Sequence, residues 1–254
     1  MMGREYTVIL NYYNKSVSLL RKQIKTILNQ TMRPECIWAC FMGGDERDNL
    51  LRAFQEETIG VKNAHFILSD YNFKYIGRYQ LALTAPTDYI VMLDDDRFPD
   101  EGYCEAMVSI LEKEDCLVQQ YGWVLKTPRE CGGKFLLPFM KQCNSSMESD
   151  KSALTKASYL CGGMAFRKSS LKYLFNEDVY TVTTGEDIMF CMRCQKNGIP
   201  VYVHQPSLKE NSRQFLYHDP EGINYTATTP HIADLRTQII QRETTPDSNG
   251  QSHI

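Results

Sequence analysis

Short apolar runs alternate with segments of helical periodicity over the first hundred residues of the chain. A run of apolar, β-favouring residues predicts a buried strand, and apolar residues that recur every three to four positions predict an amphipathic helix. Strands are therefore expected at residues 7–10, 36–42, 64–68 and 88–93. Because a predicted helix follows each of the first three strands, the order is typical of a doubly wound, parallel α/β sheet.

The second half of the chain is less regular. Residues 127–156 are rich in Gly, Ser and Lys, and a loop of that length inside a compact domain is often functional. From about residue 243 the sequence is polar, and we expect a disordered tail there. The predicted helices are residues 102–112, 169–175 and 185–196, and the predicted strands are residues 116–120, 160–167 and 199–204.

The composition is that of an ordinary globular protein. The chain has 254 residues, of which 43% are hydrophobic and 23% charged, and its net charge is −3. This balance gives no basic surface for nucleic acid and no polybasic membrane anchor. The start of the chain has no long apolar segment, and no run of about 18 apolar residues occurs in the sequence. We expect a soluble, cytoplasmic protein with no transmembrane segment.

The cysteines favour a reducing compartment. Their number is nine, so they cannot all pair within one chain, and several lie in apolar runs. Cys191 and Cys194 form the one CxxC sequence, without the second pair that a zinc site would need. We therefore expect buried thiols rather than disulfides or a metal site.

Acidic residues mark the expected ligand edge of the sheet. In doubly wound sheets, ligands bind outside the carboxyl ends of the strands, where residues 11–14, 43–45 and 94–96 are expected. The last of these segments is Asp94-Asp95-Asp96, directly after the most apolar strand. In an extended chain Asp94 and Asp96 project to one side, where they could hold a hard divalent cation such as Mg²⁺ or Mn²⁺. The alternative is a solvated acidic turn.

Four segments together resemble the core of GT-A glycosyltransferases, most closely family 2. They are Tyr75-Ile76-Gly77-Arg78, the apolar strand that leads into the three aspartates, Gly162-Gly163, and Glu186-Asp187 at the start of a predicted helix. Members of family 2 share a DxD motif after an apolar strand, and residues 8–14 are similar to their first strand and loop. The likeness covers about residues 6–205 in the expected order, which makes the set specific.

The resemblance implies a GT-A, Rossmann-like α/β fold. In this fold, helices flank a central, mostly parallel sheet, and a smaller sheet lies on the acceptor side. A single domain is then expected over residues 1–242, followed by the tail at residues 243–254. Its nucleotide-binding half would be about residues 6–100 and its acceptor half about residues 101–242.

The resemblance also implies a metal-dependent glycosyltransferase. Such an enzyme moves one sugar from a nucleotide-sugar, with UDP-sugars favoured, to a hydroxyl of a glycan or glycoconjugate acceptor. Mn²⁺ or Mg²⁺ would be the cofactor, since a divalent cation stabilises the diphosphate leaving group. Asp96 would ligate the metal, and Asp94 would join it or contact the ribose. Nucleotide-sugar contacts are expected from Asn11, Tyr13, Asp45, Gly77, Arg78, Asp94 and Asp95.

Arg78 and the end of the second predicted strand are both expected near the nucleotide. Arg78 lies sixteen residues before Asp94, where the family usually has a basic residue near the nucleotide. Its guanidinium could bind diphosphate or ribose oxygens bidentately, and the alternative is an arginine on a helix surface. Family members also usually have an acid at the end of the second strand that binds the base. Here that strand ends at Met42, and Asp45 would have to take over the contact.

The acceptor side of the reaction requires a base, because the attacking hydroxyl must lose its proton. The family pattern assigns this role to Asp187, with Glu186 at the acceptor, and direct displacement inverts the anomeric configuration. The alternative is that both acids only form the first turn of a helix capped by Thr184. Acceptor contacts are expected from Gly162, Gly163 and Trp123, whose ring could stack on a sugar or belong to the core.

A third metal ligand in GT-A enzymes often comes from a C-terminal histidine. His218 is our candidate, with His204 and His231 as alternatives. Two other functions stay open at this point. A nucleotidyltransferase also uses paired acids and a metal, although the sequence has no glycine-rich, lysine-bearing loop after its first strand. A GT-A domain could also bind a sugar nucleotide or a glycan without turnover.

Overall fold

Alternating strands and helices account for most of the chain that the structure describes. The computed structural model describes residues 4–125, 140–142, 153–206, 216–218 and 230–244. Its strands are β1 (Tyr6–Tyr12), β2 (Cys36–Met42), β3 (Ala64–Ser69), β4 (Tyr89–Leu93), β5 (Arg97–Pro99), β6 (Leu117–Gln119), β7 (Tyr121–Trp123), β8 (Met140–Gln142), β9 (Ala153–Lys156), β10 (Tyr159–Leu160), β11 (Gly163–Arg167), β12 (Val201–Gln205) and β13 (Leu216–His218). Its helices are α1 (Val17–Leu28), α2 (Arg47–Glu57), α3 (Ile76–Ala82), α4 (Tyr103–Lys113), α5 (Leu171–Phe175), α6 (Glu186–Lys196) and α7 (Pro230–Thr244).

The central sheet has the strand order β3-β2-β1-β4-β11-β6-β12-β9. Its first four strands are parallel to one another, and β12 is parallel to β6. Strands β11 and β9 are antiparallel to their neighbours. Two smaller sheets have the orders β10-β7-β8 and β13-β5. The arrangement confirms the predicted α/β fold, with a large, mostly parallel central sheet, flanking helices and smaller separate sheets.

The central sheet separates two buried cores, because successive side chains of a strand point to opposite faces. Val8 and Leu10 belong to a core with apolar residues of α1, α2 and α4. Ile9, between them, belongs to the other core, with apolar residues of α3, α5, α6 and α7. Strand β4 is buried along its whole length. The acidic segment that follows β4 therefore starts from a rigid part of the fold.

The strand predicted at residues 160–167 is divided in two. Leu160 ends β10 in a small sheet, and Gly163 begins β11, which pairs with β4 in the central sheet. Gly162 and Gly163 have φ angles of +79° and +103°. Glycine adopts such angles at little cost, and they interrupt an extended strand. The break depends on backbone angles and not on hydrophobicity, so the apolar run at residues 160–167 did not predict it.

Some elements were not predicted from the periodicity. Strands β5, β7 and β13 have three residues each, too few to show an alternation. Helix α7 includes Glu243 and Thr244, with which the predicted tail begins. The rest of that tail, and residues 127–139 and 143–152 of the long predicted loop, lie outside the described residues, whereas the described parts of that loop form β8 and β9. Within the described ranges, no helix has the length and apolar character needed to cross a membrane.

The cysteines of the described residues are free thiols, and all except Cys161 are buried. Cys191 and Cys194 lie on α6 and belong to the core shared by α3, α5 and α7. The CxxC sequence therefore packs as core thiols, as predicted. Burial also raises the pKa of Cys40 and Cys104 to about 12, so these thiols stay protonated near neutral pH.

Replacing Gly163 by alanine should destabilise the fold more than an ordinary glycine replacement. A Cβ atom at Gly163 would lie 2.2 Å from the main-chain oxygen of Met92, on the neighbouring strand β4. We expect Gly163→Ala to lower the free energy of unfolding by about 3 kcal/mol or more, measured by chemical denaturation. Gly198→Ala is the control, because Gly198 has a φ of +80° but no atom within 4 Å of its added Cβ.

The control replacement should cost about 1–2 kcal/mol, which is the strain of the backbone angle alone. Equal losses for the two variants would contradict the close approach of β11 to β4 at Gly163.

Candidate active site

Three loops meet at the carboxyl ends of the parallel strands β1, β2 and β4, as predicted. The loops after β1 and β2 touch, since a Cβ atom at Gly44 would lie 2.1 Å from Oδ1 of Asn14. Lys15, which follows the first loop, reaches the third loop, where its Nζ lies 3.2 Å from Oδ1 of Asp95. One edge of the central sheet therefore gathers the residues that the sequence singled out.

Each aspartate after β4 has a cationic partner. The three pairs are Arg78 with Asp94, Lys15 with Asp95 at 3.2 Å, and Arg97 with Asp96 at 3.6 Å. All three aspartates are half-buried. Like charges at this spacing repel each other unless cations offset them, so the pairs explain how a strand end carries three carboxylates. The segment is not the freely solvated acidic turn considered as the alternative.

The first two aspartates differ in their protonation. Burial by itself would raise the pKa of Asp94, but the charge and hydrogen bond of Arg78 bring that pKa below its ordinary value. Burial raises the pKa of Asp95 to about 7, because Lys15 offsets only part of this effect and the neighbouring aspartates add to it. Asp94 is therefore ionised at neutral pH, whereas Asp95 is partly protonated.

Arg78 connects the acidic loop, which is Asp94-Asp95-Asp96 after β4, to helix α6. Its side chain is 4% exposed. One guanidinium nitrogen, Nη1, donates a hydrogen bond to Oδ1 of Asp94, and the other, Nη2, donates to Oε1 of Glu186 at 3.1 Å. Arg78 is thus a buried cation between two carboxylates, and the alternative of a surface arginine is wrong.

Gln23 of α1 forms hydrogen bonds with the backbone of the acidic loop. Its side-chain nitrogen donates to the main-chain oxygens of Asp94 and Arg97, each at 2.7 Å. The Tyr12 hydroxyl in turn donates to the side-chain oxygen of Gln23 at 2.5 Å. Because both ends of the loop are bound by one buried amide, the backbone that carries the three aspartates has a defined conformation.

The two acids at the start of α6 have different surroundings. Glu186 is 4% exposed, and burial raises its pKa to about 7, an effect that the charge of Asp187 increases and Arg78 opposes. The Asp187 carboxylate accepts from the main-chain nitrogen of Ile188 at 2.9 Å and from Nη2 of Arg236 at 3.0 Å. The cap position of α6 is Gly185, without a side-chain cap, so the alternative of capping by Thr184 is wrong, although both acids do lie in the first turn.

The candidate nucleotide residues differ in exposure. Tyr13 is 44% exposed, and Asp45 is also exposed on the loop after β2. The Asn11 side-chain oxygen is buried and accepts no hydrogen bond from the described residues. Gly77 lets α3 approach β2, because a Cβ atom there would lie 2.8 Å from Cε of Met42. Contacts of these residues with a nucleotide stay a prediction.

The candidate acceptor residues surround the break between β10 and β11. A Cβ atom at Gly162 would lie 2.5 Å from Nε of Arg97, so the glycine lets this guanidinium approach the chain. The Trp123 ring is half-buried and stacks on Tyr159, with a distance of 6.2 Å between ring centroids. Trp123 also packs against the core. Its contact with an acceptor, like that of Gly162 and Gly163, stays a prediction.

The histidine candidates for a third metal ligand have unequal support. His218 lies in β13 beside Arg97 of β5, and its side chain lies outside the described residues, as does that of His231. His204 is 5% exposed in β12, where burial lowers its pKa to about 4.

Within the described part of the chain, no three His, Cys, Asp or Glu side chains form a metal-binding group. The oxygens of Asp94 and Asp96 are compatible with Mg²⁺ or Mn²⁺, which often complete their shells with phosphates and water.

Comparison with known families agrees with this geometry. The family model described as Glycosyl transferase family 2 matches residues 7–175. The chain belongs to glycosyl transferase family 2. The matched region extends from β1 to the end of α5 and includes Arg78 and the three aspartates, whereas α6 and α7 lie beyond it. A search of curated proteins gives no match.

Three charged residues of this family 2 glycosyltransferase contact the candidate site but were not singled out from the sequence: Lys15, Arg97 and Arg236. Arg97 directly follows the three aspartates, and Lys15 directly follows the predicted loop at residues 11–14, so a cation next to a predicted ligand loop was a usable signal in both cases. Arg236 gave no such signal, since it lies 49 residues after Asp187, on a helix that the periodicity did not predict.

The raised pKa of Glu186 predicts a loss of stability as the pH rises. In the unfolded chain this pKa returns to its ordinary value of about 4.5, so the folded state binds more protons between about pH 4.5 and 7. The stabilising contribution is therefore complete at low pH and is lost as the pH rises through about 7. Glu186→Gln should reduce the fall in unfolding free energy between about pH 5 and 8 by about 1–3 kcal/mol.

The measurement is chemical denaturation across this pH range without divalent metal. Asp95 has the same sign of effect and is present in both proteins, so the difference reports Glu186. Glu5→Gln, at an exposed position, should leave the pH dependence unchanged. A Glu186→Gln protein with the full wild-type pH dependence would show that Glu186 is ionised throughout.

Proposed function

We propose that the protein is a metal-dependent, inverting glycosyltransferase that transfers one sugar from a nucleotide-sugar to a hydroxyl of a glycan or glycoconjugate acceptor. A UDP-sugar is the favoured donor. The observation that carries the proposal is the buried link of Arg78 to both Asp94 and Glu186. This link brings the acidic loop, suited to the donor diphosphate, to the start of α6, which carries the candidate base.

The donor side of the site combines carboxylates and cations. Asp94 and Asp96 would hold Mn²⁺ or Mg²⁺, and the ion would offset the charge that develops on the diphosphate as it leaves. Lys15 and Arg97 have side chains of 17% and 13% exposure beside these acids. An arginine and a lysine at this edge suit the oxygens of a diphosphate. Tyr13 and Asp45, both exposed after β1 and β2, are proposed to contact the nucleoside.

On the acceptor side, Asp187 is the proposed base. As the acceptor oxygen attacks the anomeric carbon, Asp187 takes the proton of the hydroxyl and the bond from the sugar to the diphosphate breaks. Attack on the face opposite the leaving group inverts the anomeric configuration. The Asp187 side chain is 14% exposed and that of Glu186 is 5% exposed, so Asp187 is the more accessible acid. Glu186, bound to Arg78, is proposed to hold that guanidinium in place.

The proposal keeps the donor residues in the first part of the chain and the acceptor residues in the second. Arg78 and the acidic loop lie in residues 6–100, and the α6 acids with Gly162, Gly163 and Trp123 lie in residues 101–242. The contact of Arg78 with Glu186 joins the two parts. We propose that the reaction takes place where they meet.

Incubation with a panel of labelled UDP- and GDP-sugars, Mn²⁺ and candidate acceptors tests the function. We expect nucleoside diphosphate release coupled to glycosylated product. Asp96→Asn and Asp187→Asn should each lower kcat by about 10²-fold or more, because they remove a metal ligand and the base. Chelation of the metal should also abolish turnover.

Asp48→Asn is the matched control, since the Asp48 side chain is 74% exposed on α2. It should retain wild-type turnover. Tight binding of a sugar nucleotide without any turnover would instead favour a non-catalytic binding domain, and wild-type rates in Asp96→Asn would contradict the proposed role of the acidic loop.

A further inference from the structure

Helix α7 contacts α6 through one face, although it lies outside the region matched by the family model. Arg236, Ile239 and Glu243 are three and four residues apart, which places them along one side of a helix. Arg236 and Glu243 contact the start of α6 and its last turns, respectively. The two helices therefore lie alongside each other and run in the same direction.

Arg236 reaches the proposed base. Its Nη2 donates to Oδ2 of Asp187 at 3.0 Å, and the two side chains are 15% and 14% exposed. The other carboxylate oxygen of Asp187 accepts from the main-chain nitrogen of Ile188. Among the described residues, each oxygen thus accepts from one donor. Since a carboxylate oxygen has two lone pairs, a position remains on Oδ2 for the hydroxyl of an acceptor.

Ile239 brings α7 directly against the start of α6. A Cβ atom at Gly185 would lie 2.2 Å from Cδ1 of Ile239. Gly185 immediately precedes Glu186 and has a φ of +83°. The absence of a side chain at Gly185 thus lets Ile239 pack α7 directly against the start of α6.

Glu243 anchors the other end of the contact. Its side chain is 2% exposed and accepts from Nε of Arg193 at 3.1 Å, Nζ of Lys196 at 3.0 Å and the Tyr180 hydroxyl at 2.9 Å. Arg193 is 1% exposed and also donates to main-chain oxygens, including that of Leu174 at 2.8 Å. A buried charge is costly when its partner is removed, so displacement of α7 would leave Arg193 poorly compensated.

We propose that α7 is part of the active site and that Arg236 is a positioning residue, which orients the Asp187 carboxylate toward the acceptor hydroxyl. The ion pairs of Glu243 and the packing of Ile239 hold Arg236 at the required place. A base that is itself oriented by a third group is a common arrangement in enzymes, because a misdirected base transfers protons poorly. The inference rests on the proposed function, since it takes Asp187 as the base.

Replacement of Arg236 tests the inference through a split between kinetic constants. Arg236→Gln should lower kcat about 10–100-fold and change the donor KM less than about 2-fold, because Arg236 acts on the base and not on the donor. Arg236→Lys should fall between this variant and the wild type, and added guanidinium ion should restore part of the activity of Arg236→Gln. In an Asp187→Asn background, Arg236→Gln should cost no further activity.

Arg242→Gln is the control on the same helix. Arg242 is exposed, and its guanidinium lies 3.9 Å from the centroid of the Tyr180 ring. This variant should keep the wild-type kcat. Glu243→Gln should lower the melting temperature and kcat together, without rescue by guanidinium, because it loosens the whole helix.

The results separate the two proposals. If wild-type protein shows turnover and Arg236→Gln keeps the wild-type kcat, the inference about Arg236 is overturned alone. The same holds if kcat falls equally in the Asp187→Asn background, or if the loss follows unfolding in a melting experiment. If wild-type protein shows no turnover with any donor, the proposed function is overturned, and this inference with it.

Discussion

The candidate site depends on one buried guanidinium, that of Arg78, between the carboxylates of Asp94 and Glu186. A buried cation is tolerated only when its charge is paired and its hydrogen bonds are made. The two carboxylates belong to different parts of the chain, the loop after β4 and the start of α6. Their shared ion pairs with Arg78 link these parts, so the relative position of the acidic loop and α6 depends on the charge of this side chain.

The acidic loop and its cations form a nearly neutral group without any ligand. Three aspartates face Arg78, Lys15 and Arg97, so the repulsion among the acids is offset within the protein. A metal ion bound to a diphosphate likewise combines positive charge, on the metal, with negative charge, on the phosphates. Under the proposed function, the carboxylates would exchange their cationic partners for the metal, and the cations would then be available to bind the phosphates. Such an exchange avoids burying an uncompensated charge, the most costly event at a site of this kind.

The sequence was most informative where structure is local. Strand β2 and helix α2 were predicted with the bounds that the structure has, because apolar runs and helical periodicity arise within a few residues. The position of the three aspartates at the ligand edge followed from the strand before them. The burial of Arg78 could not be predicted in the same way, because α3 is short and because Arg78 and Glu186, which contact each other, are 108 residues apart in the sequence. The hydrophobic pattern also did not predict that the chain passes from one sheet to another at Gly162, because hydrophobicity does not report backbone angles.

The contact between α6 and α7 shows what buried charges contribute that apolar packing does not. Ile239 packs against Gly185 through the end of a flexible side chain, and apolar contacts are not directional, so this packing defines the position of α7 along α6 less sharply than ion pairs do. A movement of α7 by one turn, about 5.4 Å, would separate Arg236 from Asp187 and Glu243 from Arg193, leaving two buried or half-buried pairs broken together. The ion pairs therefore select one register of the two helices, even though a wholly apolar interface of equal area could be as stable. In this protein the selected register is the one that places a guanidinium beside the acid proposed as the base.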